Sequence, residues 1–269
     1  MRPAGPARGI VSEGAPDGAT EHARVLPSEA LSPYVAHFWA VRWALRSPFT
    51  AETLPHPSVH VIFEEEGDRG ARAEVAGVPR ERFTRALVGD GSVFAVKFRP
   101  AAFSVVFDAP MSKLTDRVVR VDEIFGTEGA AWGRSIAAAA SVEARMSISE
   151  SFLTSRVSPL EGDVARVRDL VERMAVDRTL LRVEDVARVA KTDVRTLQRW
   201  FRLYVGVPPK WVLQRYRLHE AAERLRSTPP PSLAALADSL GYADQAHFAR
   251  DFKRVVGRTP SAFVPASAR

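Results

Sequence analysis

Cysteine is absent from all 269 residues, which removes disulfide frameworks, thiolate metal clusters and any cysteine nucleophile or methyl acceptor, and suits a reducing cytoplasm. Long apolar runs are absent too. The nearest, Ile136 to Ala140, falls far short of the roughly 18 residues that span a bilayer, so no membrane partner is expected. The first 23 residues mix proline, glycine and charges of both signs without the apolar core of about 7 to 15 residues that a secretory signal needs. Residues 1–23 are therefore expected to be a disordered tail. A nucleophile beside a base, a glycine-rich phosphate loop and a metal-ligand cluster are also missing. No catalytic residue, cofactor or metal is assigned, and an enzyme is not expected.

What is present is basic charge in one place. The chain carries 38 basic and 32 acidic residues; from Glu161 onward there are 20 against 13, leaving 18 against 19 before that point. The whole excess therefore lies in the C-terminal part. It concentrates between Lys191 and His219, where Lys191, Arg195, Arg199, Arg202, Lys210, Arg215 and Arg217 face one acid, Asp193. A solvated helix surface is the ordinary reading of a charge run, but such surfaces usually mix signs. A single-signed segment favours a polyanion.

The same part repeats itself. Asp193, Leu197, Arg199, Phe201, Gly206 and Pro209 fall, 51 residues on, upon Asp244, Phe248, Arg250, Phe252, Gly257 and Pro260. Upstream the register becomes 50, with Val183, Val186 and Ala187 upon Leu233, Leu236 and Ala237, a slip that a turn between helices absorbs. Each copy reads as helix, turn, helix. Asp193 and Asp244 have the chemistry of N-caps, and Gly206 and Gly257 that of helix ends. The second helix of the first copy puts Leu197, Phe201 and Tyr204 on one face and Arg195, Gln198, Arg199 and Arg202 on the other. In the second copy the seam is Phe248, Phe252 and Val255, with Gln245, Ala246, Ala249, Arg250 and Lys253 outward. Such a helix fits the major groove, because Arg pairs with guanine and Gln with adenine through two bonds each. An amphipathic helix of a bundle is the alternative, and the repetition of turn, cap, seam and basic face counts against it. Between the copies, 208–227 reads as a helix of about 30 Å, near the roughly 34 Å of one duplex turn.

The segments VEDVARVAKTDVRTLQRWFRLYVGVPPKWVLQRYRLHEAAERLR and LAALADSLGYADQAHFARDFKRVVGRTP resemble the AraC-type (AraC/XylS) DNA-binding domain over about 100 residues. The resemblance implies seven helices, two of them recognition helices at about 193–205 and 244–256, and a cytoplasmic transcription regulator, typically an activator, on double-stranded promoter DNA. RNA polymerase, a small-molecule effector and a second copy of the chain are further candidate partners. Carried across by position, Arg195, Gln198 and Arg199 match base and phosphate contacts of the first recognition helix, and Arg202 lies beside them on the same basic face. Gln245, Ala246 and Arg250 match those of the second; Lys253 suits a phosphate, and His247 either a phosphate or base contact or packing beside the turn. Ala246 can offer apolar contact alone, and Lys191 stands where members often have glycine. The first unit is expected to hold DNA more strongly.

Ahead of this part, Val35 to Leu45, Val59 to Phe63, Ala73 to Val78, Arg82 to Val88 and Ser92 to Phe98 read as strands. Ala101 to Phe107, Val121 to Phe125 and Glu128 to Ser155 read as helices. The fold class is α+β: a small β-barrel or sandwich-like domain with trailing helices at 24–156, serving effector binding or dimerisation, a linker at 157–162, and an all-α domain at 163–266. The latter holds helix-turn-helix units at about 183–206 and 233–257. The stretches LPHPSVHVIFEE and VKFRPAAFSVVF resemble an uncharacterised domain found before AraC-type domains. His56 and His60 are a weak metal pair. Glu64 to Glu66 offer paired carboxylates or, more simply, a solvated acidic turn. Trp39 and Trp43 suit either an effector pocket or a core. A regulator without a ligand and an enzyme tethered to DNA are the competing readings.

Overall fold

The computed structural model describes residues 3–4, 18–67 and 70–264. Eight strands open the chain: β1 (Gly18–Val25), β2 (Val35–Leu45), β3 (Phe49–Thr53), β4 (His60–Glu66), β5 (Ala71–Ala76), β6 (Phe83–Leu87), β7 (Asp90–Phe98) and β8 (Val118–Arg120). Six form an antiparallel sheet in the order β1-β2-β7-β4-β5-β8, and β3 pairs with β6 in a second, two-stranded sheet. The larger sheet is open, with β1 and β8 at its edges. The barrel is thus corrected to an open sheet, sandwich-like where β3 and β6 cover part of one face through Trp43, Leu45 and Leu87.

The expected tail is corrected as well. Residues 18–23 belong to β1, which pairs with β2 from Gly18 opposite Leu45 to Val25 opposite Phe38. Pairing along a long neighbouring strand supplies the order that local composition does not signal. The rest of that tail, except 3–4, lies outside the described residues. Glu64 and Glu66 likewise sit within β4, both bonded to Arg85, and Glu64 also to Arg72 at 3.0 Å, instead of in a solvated turn.

The other face of the sheet packs on α1 (Val121–Ala138) and α2 (Val142–Thr154). Aromatic rings fill this layer: Trp132 stacks on Phe152 at 4.1 Å and meets Phe63 edge-on at 4.8 Å. The long helix expected over 128–155 is broken at 139–141, where Ser141 caps α2 by accepting from the Ala144 amide at 3.2 Å. A register shift between Val35 and His37 lets Val35 and Phe38 share the core face although they are three apart. It also aligns His37 with Lys97 on the opposite face.

Seven helices follow: α3 (Gly162–Val176), α4 (Val183–Val189), α5 (Val194–Trp200), α6 (Pro209–Leu225), α7 (Leu233–Ser239), α8 (Gln245–Val256) and α9 (Pro260–Phe263). They build two cores, one around Leu197 and Phe201 and one around Phe248 and Phe252, linked by α6. Residues from the first half enter both: Val78 and Ala101 the first, Leu54 the second. The seventeen residues of α6 span about 25 Å, a little less than the expected length.

Candidate nucleic-acid interface

The two helical units close their turns with the same atoms. In the first, the Lys191 amide donates to Arg188 at 3.1 Å and Thr192 to Ala187 at 3.0 Å; in the second, Gly241 donates to Asp238 at 2.9 Å and Tyr242 to Ala237 at 3.0 Å. This is the closure that needs a left-handed residue. Lys191 (φ 52°) and Gly241 (φ 72°) supply it from equivalent positions. The aspartates then cap as their spacing suggests, Asp193 accepting from the Thr196 amide at 2.8 Å and Asp244 from the His247 amide at 2.6 Å. The Asp193 carboxyl is held below the usual range by the Thr196 amide and then the Thr196 hydroxyl, so the cap is charged at neutral pH.

Capping sets the rotation of each helix, and the apolar seam buries one side. Leu197, Phe201, Phe248 and Phe252 are fully buried, each such side chain contributing about 1.5–3 kcal/mol. The first seam departs from expectation at its end. Residues 201–205 form a π turn, the Gly206 amide donating to Phe201 at 2.8 Å, and Val205 is buried while Tyr204 is half-exposed. The extra residue per turn rotates the last side chains about the axis. In the second unit Gly257 donates to Lys253 at 2.8 Å, an ordinary helical bond.

All nine residues assigned to DNA contact are exposed. Arg195, Gln198, Arg199 and Arg202 lie on the outer side of α5 and its π turn, and Gln245, Ala246, His247, Arg250 and Lys253 on that of α8. Among the described residues none offers an ion-pair or side-chain hydrogen-bond partner to Arg195, Gln198, Arg199, Arg202, Gln245, Arg250 or Lys253. His247 is engaged, edge-on to Tyr242 at 5.2 Å and 3.9 Å from Asp251.

Part of the basic excess proves internal. Arg215 is buried, donates to the Arg80 carbonyl at 2.7 Å and lies 4.5 Å over the Trp211 ring; burial pushes its pKa down to about 10, which leaves it charged at neutral pH. Arg217 is half-buried and donates to the Leu181 carbonyl. Periodicity could have signalled this, since Arg215 shares a helix face with Val212 and Leu218.

Contacts that composition and spacing could not reveal join the first half to the end of the second helix of both units. Thr115 Oγ1 donates to the Gly206 carbonyl at 2.7 Å, and Arg82 Nη1 donates to the Val256 carbonyl at 3.0 Å. A Cβ on Gly206 would lie 2.8 Å from Thr115 Oγ1, and one on Gly257 2.2 Å from Arg82 Nη1. The two glycines, equivalent in the repeat, are thus points where the N-terminal part touches the end of the second helix of each unit. Glu52 reinforces the second, 2.9 Å from Arg82 and 3.8 Å from Arg258.

The other candidates resolve differently. Among the described residues no group of three possible ligands is placed to hold a metal. His56 packs its ring 4.3 Å from that of His219, and His60 Nδ1 accepts from Trp39 Nε1 at 3.2 Å. Trp43 is buried over Gly91 in a small core with Leu45 and Leu87, the core reading of its two alternatives. No described helix is long and apolar enough to cross a membrane.

Residues 186–265 match a helix-turn-helix domain, and residues 23–120 match a domain of unknown function, DUF6597. A protein described as an AraC-like transcription regulator from Streptomyces antibioticus is 37% identical over 78 residues, 29% of this chain and 25% of that protein. The HTH-type transcriptional activator RhaS of Pectobacterium carotovorum is 33% identical over 67 residues, 25% of this chain and 24% of that one. The chain thus spans about a quarter of the length of the curated relatives it matches. Among solved structures, the C-terminal domain of the response regulator AraT from Geobacillus stearothermophilus is 27% identical, covering 39% of this chain and 86% of that one with a TM-score of 0.35. ToxT from Vibrio cholerae is 10% identical, covering 92% and 98% with a TM-score of 0.43.

Proposed function

We propose that this chain, whose residues 186–265 are an AraC-type helix-turn-helix domain behind a DUF6597 domain, is a sequence-specific DNA-binding transcription regulator. The observation that carries the reading is the repeated capped helix, buried on an aromatic seam and presenting unpaired Arg and Gln side chains outward. Arg195, Gln198, Arg199 and Arg202 read one major groove, and Gln245, Ala246, His247 and Arg250 the next, with Lys253 on phosphate. The likeness to RhaS, named an activator, favours activation.

The N-terminal domain acts as a sensing or dimerisation module. Thr115 and Arg82 give it a hold on each recognition helix, so a change in the sheet domain alters how the two helices are presented together. Selection of bound duplexes from random DNA by the purified chain tests the assignment. The expected result is an enriched site of about two helical turns with two unequal half-sites. Recovery of no enriched sequence removes the regulator reading.

A further inference from the structure

On the face of the sheet turned away from α1 and α2, a lysine stands among basic groups. Lys97 on β7 is in register with His37 on β2 and with His60 on β4, so it has a histidine on each side. Such cross-strand neighbours have Cβ atoms about 5 Å apart. Arg24 of β1 adds a guanidinium, its Nη2 3.1 Å from His37 Nε2. His56, from the loop leading into β4, closes the group against α6 through its ring contact with His219, whose Nε2 lies 3.0 Å from the Pro55 carbonyl oxygen.

Among the described residues no carboxylate lies within ion-pairing reach of Lys97. Burial first, then Arg24, push its pKa down to about 8. Burial and Lys97 also lower His37, to about 3, and hold His56 and His60 well below the usual range. At neutral pH the lysine is therefore charged and the three histidines are neutral. Trp39 donates to His60 Nδ1, which fixes the His60 proton on Nε2 and leaves that nitrogen a donor. Lys97 and His60 are both partly open to solvent. A half-buried ammonium with no counter-charge is costly, and the donors beside it ask for an acceptor of opposite sign.

We propose that Lys97 and His60 hold a small oxyanion, a carboxylate or phosphoryl group, between the sheet and α6. The consequence for regulation rests on the reading above; the binding itself does not. Occupancy pulls on His60 and the loop 54–59, and that loop reaches the DNA-binding half through Leu54, in the second helical core, and Pro55 and His56, against His219.

The test is calorimetric and thermal-unfolding titration of the full chain with sodium acetate and, separately, inorganic phosphate, against sodium chloride at matched ionic strength. Saturable binding of acetate assigns a carboxylate site, and of phosphate a phosphoryl site. Lys97→Met is expected to weaken that binding about ten- to hundredfold, the range of one charge-assisted hydrogen bond. It is also expected to unfold at a higher temperature than the wild type without ligand, because a desolvated charge is gone, and to gain less from the anion at any given concentration. Undiminished affinity in Lys97→Met, chloride acting as well as either probe, or neither probe binding at tens of millimolar overturns the proposal. Duplex binding is read separately by anisotropy. A chain that binds acetate but not DNA loses the regulator reading and keeps this site; a chain that binds DNA but neither anion loses this site alone.

Discussion

The two helix-turn-helix units share a 51-residue register, a cap, a turn closure and a terminal glycine, yet they differ where DNA would be met. The first ends in a π turn and exposes three arginines and a glutamine that have no side-chain partner among the described residues. The second is a regular helix whose buried Asp251, at the place of Trp200, accepts from Gln214 at 2.8 Å and Arg254 at 3.0 Å and sits beside His247. An acid beneath the second outer face ties α8 to α6 and offsets positive charge there. A duplicated scaffold has thus been kept by burial while its surface has diverged, since substitutions away from the seam and caps disturb packing little.

That contrast is open to direct attack. Phe201→Ala and Phe252→Ala each empty a fully buried position at the centre of one core. Each is expected to cost about 3–5 kcal/mol in chemical denaturation; a cost confined to one of the two would show that the cores are not equivalent. Arg199→Ala and Arg250→Ala come next, at about 1–3 kcal/mol of duplex affinity each. Each loss should be confined to its own half-site in footprinting, and unchanged footprints would sink the contact assignment. Lys253→Ala is expected to weaken all sequences alike and to lower the slope of affinity against salt by about one. The smallest effect is Lys191→Gly, which relieves a left-handed non-glycine turn that Gly241 fills without strain. A gain of about 1 kcal/mol in stability is expected, and Gly241→Lys should lose a similar amount.

The helical half was legible because its signals are local. Caps, seams and terminal glycines act within one or two turns, and seeing them twice removed the ambiguity of a single amphipathic helix. The sheet half was less so. β2 and β7 are long and rich in Val, Phe and Trp, whereas β1, β3 and β8 are short or plain in composition and exist through their neighbours. Arg215 counted as surface charge in the sequence and is core in the fold, and Glu66 looked like a turn and lies buried under Arg85.

By itself the sequence determined the duplicated unit, the aspartates that cap it, the seams that bury it and the basic faces that remain, because periodicity and capping are properties of short segments. Tertiary structure decided what those faces are coupled to. The reach of Thr115 and Arg82 to the Gly206 and Val256 carbonyls, and the meeting of Lys97 with His37 and His60 from the strands on either side, depend on strand register and on how the halves pack. Contacts between residues tens of positions apart or, for Arg82 and Val256, 174 apart leave no spacing in the chain to be read.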